Sequence, residues 1–106
     1  MIDFPDDLPG ADLVRKGLGD LSEAKTTAEA LLVLVGAPRL SWLGIEIPAS
    51  SVTDPEGALY DLLEAENERE AHSRYNALIR RLISFEQALE GEVFRARRRQ
   101  ASSDTE

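Results

Sequence analysis

A repeat of apolar residues in the second half of the chain constrains the fold more than any other feature. Its members are spaced 4, 3, 4, 3 and 4 residues apart: Ala71, Tyr75, Leu78, Leu82, Phe85 and Leu89. This spacing is typical of a long helix whose apolar seam packs against other helices. Ile79 and Ile83 widen the seam into the broader stripe of a bundle helix. We therefore predict a C-terminal helix over residues 68–97.

An acidic stretch interrupts the apolar pattern before this helix. Residues 64–70 contain four Glu and offer almost nothing to a core. We therefore place a turn near residues 65–68 and expect Asn67 to cap the helix that follows. Upstream, the sequence Asp-Pro-Glu at 54–56 predicts the start of a helix that continues to residue 65, because it combines an N-cap residue, a proline and an acid in the first turn. Two helices joined by a short turn form an antiparallel hairpin.

The first half of the chain contains three further predicted helices. They cover residues 8–21, 27–36 and 38–43. Residues 31–35 are apolar on every face, so periodicity alone does not separate a buried helix from a buried strand. Thr26 and Glu29 have the spacing of a capping box, which favours a helix at the centre of the core. The fold class that follows is all-α, a small helical bundle over residues 8–99.

The ends of the chain and of the first helix carry weaker signals. Residues 1–7 are expected to form a flexible arm, with Asp7 capping the first helix, and residues 100–106 a disordered tail. Gly17 and Gly19 weaken the first helix by about 1 kcal/mol each relative to alanine. Either this helix is short and frayed, or its glycines permit a close crossing with another helix.

The sequence offers little for catalysis. The chain has one histidine, His72, and no cysteine, whereas nucleophilic triads and zinc sites need those residues in combination. Ser73 is adjacent to His72, and neighbours on a helix point about 100° apart, so the two do not form a nucleophile and its base. Acidic residues are numerous, but none has the spacing of a known metal site. We expect a non-enzymatic protein with no cofactor and no metal.

Hydropathy and charge limit the partners that suit the chain. The longest apolar run, residues 30–37, is far shorter than the roughly 20 residues that span a bilayer, so we expect no membrane contact. The acidic N-terminus and the lack of cysteine favour a cytoplasmic location. The net charge is −8, and residues 1–70 carry 15 acids against 5 bases. Such a surface does not attract nucleic acid as a whole.

The length of the C-terminal helix predicts a protein partner. At about 45 Å this helix is too long for the other segments to cover, so its distal part should bind a second molecule. The candidate interface residues are Tyr75, Leu82, Phe85, Leu89, Val93 and Phe94. The leading hypothesis is an interaction or accessory subunit that acts as a homodimer or within a larger complex.

An arginine-rich segment near the C-terminus supports an alternative. The candidate anion contacts are Arg95, Arg97, Arg98 and Arg99. They suit a nucleic-acid-associated regulator that binds phosphates through this end alone. Cations at a helix C-terminus are also stabilised by the helix dipole, and a solvated helix end is the favoured interpretation of this segment.

Overall fold

The computed structural model describes the backbone of residues 4–104 and the side chains of residues 4–100. Within this part of the chain, the regular secondary structure consists of helices. They are α1 (Ala11–Ser22), α2 (Ala28–Val35), α3 (Ala37–Trp42), α4 (Pro55–Glu66) and α5 (Ala71–Asp104). The predicted all-α fold is therefore confirmed. None of the described helices is both long enough and apolar enough to cross a membrane.

Helix α2 lies at the centre of the bundle, so residues 31–35 are helix and not strand. Its residues Ala30, Leu31, Leu32 and Val33 are at most 1% exposed, and it packs against α1, α4 and α5. Its N-cap is Thr27, whose Oγ1 accepts a hydrogen bond from the amide of Ala30 at 3.1 Å. The capping box predicted for Thr26 and Glu29 is wrong, because Thr27 is the residue with extended backbone at the cap position.

Helix α1 crosses α2 closely at Gly17. A Cβ atom added there would lie 2.4 Å from the carbonyl oxygen of Glu29 and 2.5 Å from Cγ2 of Val33. At Gly19, in contrast, an added Cβ would meet nothing within 4 Å. The close helix crossing, one of the two interpretations of these glycines, therefore holds for Gly17 and not for Gly19.

The segment before α1 packs on the middle of α5. The ring of Phe4 meets Phe85 edge-on, with ring centroids 4.9 Å apart. Gly10 has a φ of 78°, and a Cβ there would lie 2.7 Å from the carbonyl oxygen of Arg81, so glycine permits this approach. Gly10 is also the N-cap of α1, and the cap predicted at Asp7 is wrong. Of the arm predicted over residues 1–7, residues 1–3 lie outside the described residues and Phe4 is buried.

Helices α4 and α5 form the predicted hairpin. Asp54 caps α4 by accepting a hydrogen bond from the amide of Gly57 at 3.1 Å. Asn67 is the C-cap of α4, and its Oδ1 accepts a hydrogen bond from the amide of Glu70 at 3.3 Å in the turn before α5. Because α5 begins at Ala71 instead of residue 68, Asn67 does not cap it directly. Across the hairpin, the rings of Tyr60 and Tyr75 meet edge-on with centroids 5.7 Å apart.

Helix α5 extends well past the rest of the bundle. Its 34 residues correspond to about 51 Å at 1.5 Å per residue, and the molecule measures 59 × 26 × 20 Å. The side chains of residues 94–100 are all exposed. The helix continues through Asp104, the last residue that the structure describes, instead of ending near residue 97, since residues 92–101 contain no Gly or Pro and are rich in good helix formers. Helical backbone therefore occupies residues 100–104 of the tail predicted to be disordered, and residues 105–106 lie outside the described residues.

Candidate interaction surface

Three of the six residues predicted for a partner interface are buried in the chain's own core. Leu82, Phe85 and Leu89 are 4%, 0% and 5% exposed, so the prediction is wrong for them. Phe4 covers Phe85, and the corner between α2 and α3 covers Leu82, where a Cβ added at Gly36 would lie 3.0 Å from both of its methyl carbons. These contacts join segments that are distant in sequence, so the apolar seam did not reveal them.

Two more of the six, Tyr75 and Val93, are half-buried and pack against the same core. Burial raises the pKa of the Tyr75 hydroxyl, and the negative charges of Glu56 and Asp54 raise it further. Phe94 alone among the six candidates is exposed, at 45%. The surface that α5 offers to a partner is therefore smaller and more distal than predicted.

A second exposed apolar side chain lies on the same side of α5 as Phe94. Ile83, which the sequence placed in the core stripe, is 44% exposed. Eleven residues complete about three helical turns, so Ile83 and Phe94 lie only about 20° apart around the axis. Phe85, nine residues before Phe94, lies about 180° away and faces the core. We call the side that faces solvent the outer face of α5, and it comprises Ile83, Gln87, Glu90, Phe94 and Arg98.

Helix α3 braces α5 next to this outer face. Arg39 Nη2 donates a hydrogen bond to Glu90 Oε2 at 3.1 Å. One turn earlier, Glu86 is 7% exposed beneath Gly36. Burial raises the pKa of the Glu86 carboxyl, and the positive charge of Arg39 lowers it in part. Arg39 therefore lies near two carboxylates of α5, Glu86 and Glu90, at the acidic flank of the outer face.

The four arginines proposed as anion contacts are all exposed on the protruding part of α5. Arg95 forms an ion pair with Glu92 one turn before it. Arg97 and Arg98 form no ion pair with the described residues. At about 100° per residue, the four side chains spread over about 200° of the helix circumference. They form a basic collar and not a stripe on one face.

Trp42 of α3 is an exposed aromatic outside α5. It is 64% exposed, whereas Leu40 and Leu43 of the same short segment are buried. Side chains two residues apart on a helix point about 200° apart, so Trp42 faces solvent because Leu40 faces the core. The spacing of Leu40 and Leu43, three residues apart on one helix face, was the signal that could have identified it.

His72, the histidine considered for catalysis, lies on the surface of the protein. His72 is exposed at the start of α5, where its Nε2 pairs with the side-chain amide of Asn76 at 3.2 Å. A cleft of about 240 Å³ between α1 and the segment after α3 is lined by both apolar and charged side chains, among them Phe4, Leu18, Arg15 and Glu46, and His72 is not one of them. Within the described part of the chain, no three His, Asp or Glu side chains come together in a way that could hold a metal ion.

Known proteins add no constraint on this surface. Comparisons with models of protein families, with curated proteins and with solved structures find no match. The surfaces that α5 offers to a partner are its outer face and the basic collar.

Proposed function

We propose that this protein is a non-enzymatic interaction or accessory subunit, acting as a homodimer or within a larger complex, and that it binds its partner through the distal outer face of α5. The observation that carries this proposal is the exposure of Phe94 on a helix that extends beyond the bundle. Buried aromatic anchors supply much of the energy in protein interfaces, and Phe94 on a protruding helix is accessible to serve as one.

The rigidity of the helix supports the same proposal. Residues 71–89 of α5 are anchored by Ala71, Leu82, Phe85 and Leu89 in the core, and Arg39 ties α3 to Glu90. The segment that carries Phe94 continues from this anchored part without a break in the helix. A partner would meet a preformed surface, which reduces the entropy lost on binding.

Affinity capture from a lysate of the native host, with bound proteins identified by mass spectrometry, tests the proposal. The original chain is used as bait beside its Phe94→Ala variant. The matched control is the Trp42→Ala variant, which loses an exposed aromatic side chain outside α5. We expect the same specific partner with the original chain and with Trp42→Ala, and at least a tenfold loss with Phe94→Ala. Equal recovery by all three baits would contradict the assignment of this surface.

A second candidate function is nucleic-acid binding through the basic collar. Its support is that Arg97 and Arg98 are exposed and form no ion pair with the described residues. Against it stand the net charge of −8 and the absence of a single basic face. Phosphate contacts by the collar predict binding to RNA or DNA that weakens steeply with salt and vanishes when residues 95–106 are deleted. Undetectable binding at low salt would exclude this function.

A further inference from the structure

The outer face of α5 has a symmetric arrangement of charge about Phe94. Glu90 lies four residues before Phe94, and Arg98 lies four residues after it. At about 1.5 Å per residue, each charge is about 6 Å along the axis from the aromatic ring position. An acid, an aromatic and a base thus follow each other on one face, with the aromatic at the midpoint.

We propose that a second copy of this chain occupies this face, with the two α5 helices antiparallel and crossing at Phe94. This inference rests on the proposed function and names its partner. In the antiparallel orientation, Glu90 of each copy lies opposite Arg98 of the other, and the two Phe94 side chains meet at the two-fold axis. A parallel pair would place each acid opposite an acid and each base opposite a base, which is unfavourable. The charge order therefore selects the antiparallel pair.

The groups that this pairing needs are available in the single chain. The hydrogen bond from Arg39 uses Oε2 of Glu90, and within the described residues no hydrogen bond reaches its Oε1. Arg98 is exposed and forms no ion pair with the described residues. Residues 95–104 of the second copy would run along positions 84–93, where Ser84 and Gln87 are exposed. The two bundles then lie at opposite ends of the pair.

Charge also opposes the competing antiparallel register. Placing Phe94 of one copy against Ile83 of the other would bury both of these exposed apolar side chains. The same register, however, would place the basic collar opposite Arg80 and Arg81 of the second copy. Neither arginine is buried, so like charges would face each other at both ends of the overlap. Of these two antiparallel registers, the one that crosses at Phe94 places opposite charges against each other.

Disulfide cross-linking tests the register, because the chain has no cysteine of its own. Positions 87 and 101 lie seven residues before and after Phe94, so the crossing brings position 87 of one copy next to position 101 of the other. We expect a mixture of Gln87→Cys and Ala101→Cys to form mainly the mixed disulfide under mild oxidation, while each variant alone stays largely uncross-linked. Disulfides within each variant alone, or a mixed yield no higher than in denaturant, would overturn the proposal.

Charge reversal tests the contact between Glu90 and Arg98. Arg98→Glu should raise the dissociation constant of the dimer at least about tenfold. The matched control is Arg80→Glu, which makes the same charge change outside the overlap and should alter the constant by less than about twofold. An equal effect of both substitutions would mean that net charge alone controls association, and would contradict the pairing.

The two proposals fail in different ways. If the original chain stays monomeric at all concentrations, the second copy is excluded as the occupant of this face. A host protein captured in a Phe94-dependent manner would then still support an interaction function. If the chain dimerises but Phe94→Ala has no effect on the dissociation constant, both the antiparallel crossing and the assigned binding face are wrong.

Discussion

Gly17 shows how one missing side chain sets the distance between two helices. Replacing it by alanine would force a Cβ to within 2.4 Å of a backbone oxygen of α2, and backbone atoms of a packed helix yield little. We expect Gly17→Ala to destabilise the protein by about 1–3 kcal/mol. The matched change, Gly19→Ala in the same helix, meets nothing within 4 Å and should stabilise by about 0.5–1 kcal/mol.

Chemical denaturation of the two glycine variants beside the original chain measures both effects. The opposite signs are the informative result, because helix propensity alone predicts a gain at both positions. Stabilisation by Gly17→Ala would show that α1 and α2 do not cross as closely as described.

Glu86 is a residue whose charge opposes folding. Burial raises the pKa of its carboxyl in the folded state, so the folded protein holds this proton more tightly than the unfolded chain does. The loss of unfolding free energy that results is absent at a pH below the ordinary carboxyl pKa, and it is fully present at a pH above the raised pKa of Glu86. We therefore expect Glu86→Gln to raise the melting temperature near neutral pH, with a gain that shrinks as the pH falls towards about 4.5.

A melting series from pH 8 to pH 4 on both proteins checks this sign. A gain that does not change with pH would indicate that the variant acts through packing and not through the charge. A loss of stability at neutral pH would mean that the attraction to Arg39 outweighs the cost of burial.

Local signals at single residues predicted some features and missed others. The Asp-Pro-Glu start of α4 was correct, because the cap, the proline and the acid depend only on neighbouring residues. The cap of α2 was wrong by one position, since Thr26 and Thr27 have the same chemistry and only the backbone decides between them. The burial of Glu86 could not be predicted, because Gly36 and Arg39 cover it from another part of the chain.

At the scale of the helices, the two sides of α5 should respond differently to truncation. Leu82 is 4% exposed and the adjacent Ile83 is 44% exposed. Leu82→Ala leaves a cavity in the core and should cost about 2–5 kcal/mol of unfolding free energy. Ile83→Ala removes a side chain that is largely in water and should cost under about 1 kcal/mol. Urea unfolding of both variants measures the difference, and equal losses would contradict the orientation of α5.

The same helix marks the limit of prediction from the sequence. Its existence, its partner α4 and its apolar seam follow from spacing and from the turn at Asn67. The contacts that bury the middle of α5 do not follow from the spacing, because Phe4, Gly10 and Gly36 are distant from α5 in the sequence. The predicted interface therefore wrongly included the buried residues Leu82, Phe85 and Leu89, whereas Phe94 is exposed.

At the scale of the whole molecule, charge is separated along the long axis. The acidic turn at residues 64–70 lies at the N-terminal end of α5, and the basic collar begins about 37 Å further along the helix. Exposed charges are screened over about 8–10 Å near physiological ionic strength. The collar and the acidic turn of one molecule therefore interact little with each other.

Deleting residues 95–106 should consequently leave the fold of a dilute sample intact. We expect the unfolding free energy to change by less than about 1 kcal/mol at both low and high salt, since exposed ion pairs contribute little. Thermal melts of the full-length and truncated chains at two salt concentrations measure this. A destabilisation that salt reduces would show that the tail instead folds against the acidic half of its own chain.

The most direct test of association through the outer face of α5 is light scattering over a series of concentrations, for the original chain and for Phe94→Ala. We expect the original chain to approach twice its mass of 11.7 kDa at micromolar concentration, and the variant to remain near the mass of one chain. The half-exposed Phe94 contributes little to the fold, so the variant should stay helical. A mass of one chain for the original protein across the series, or equal masses for both, would contradict association through this face.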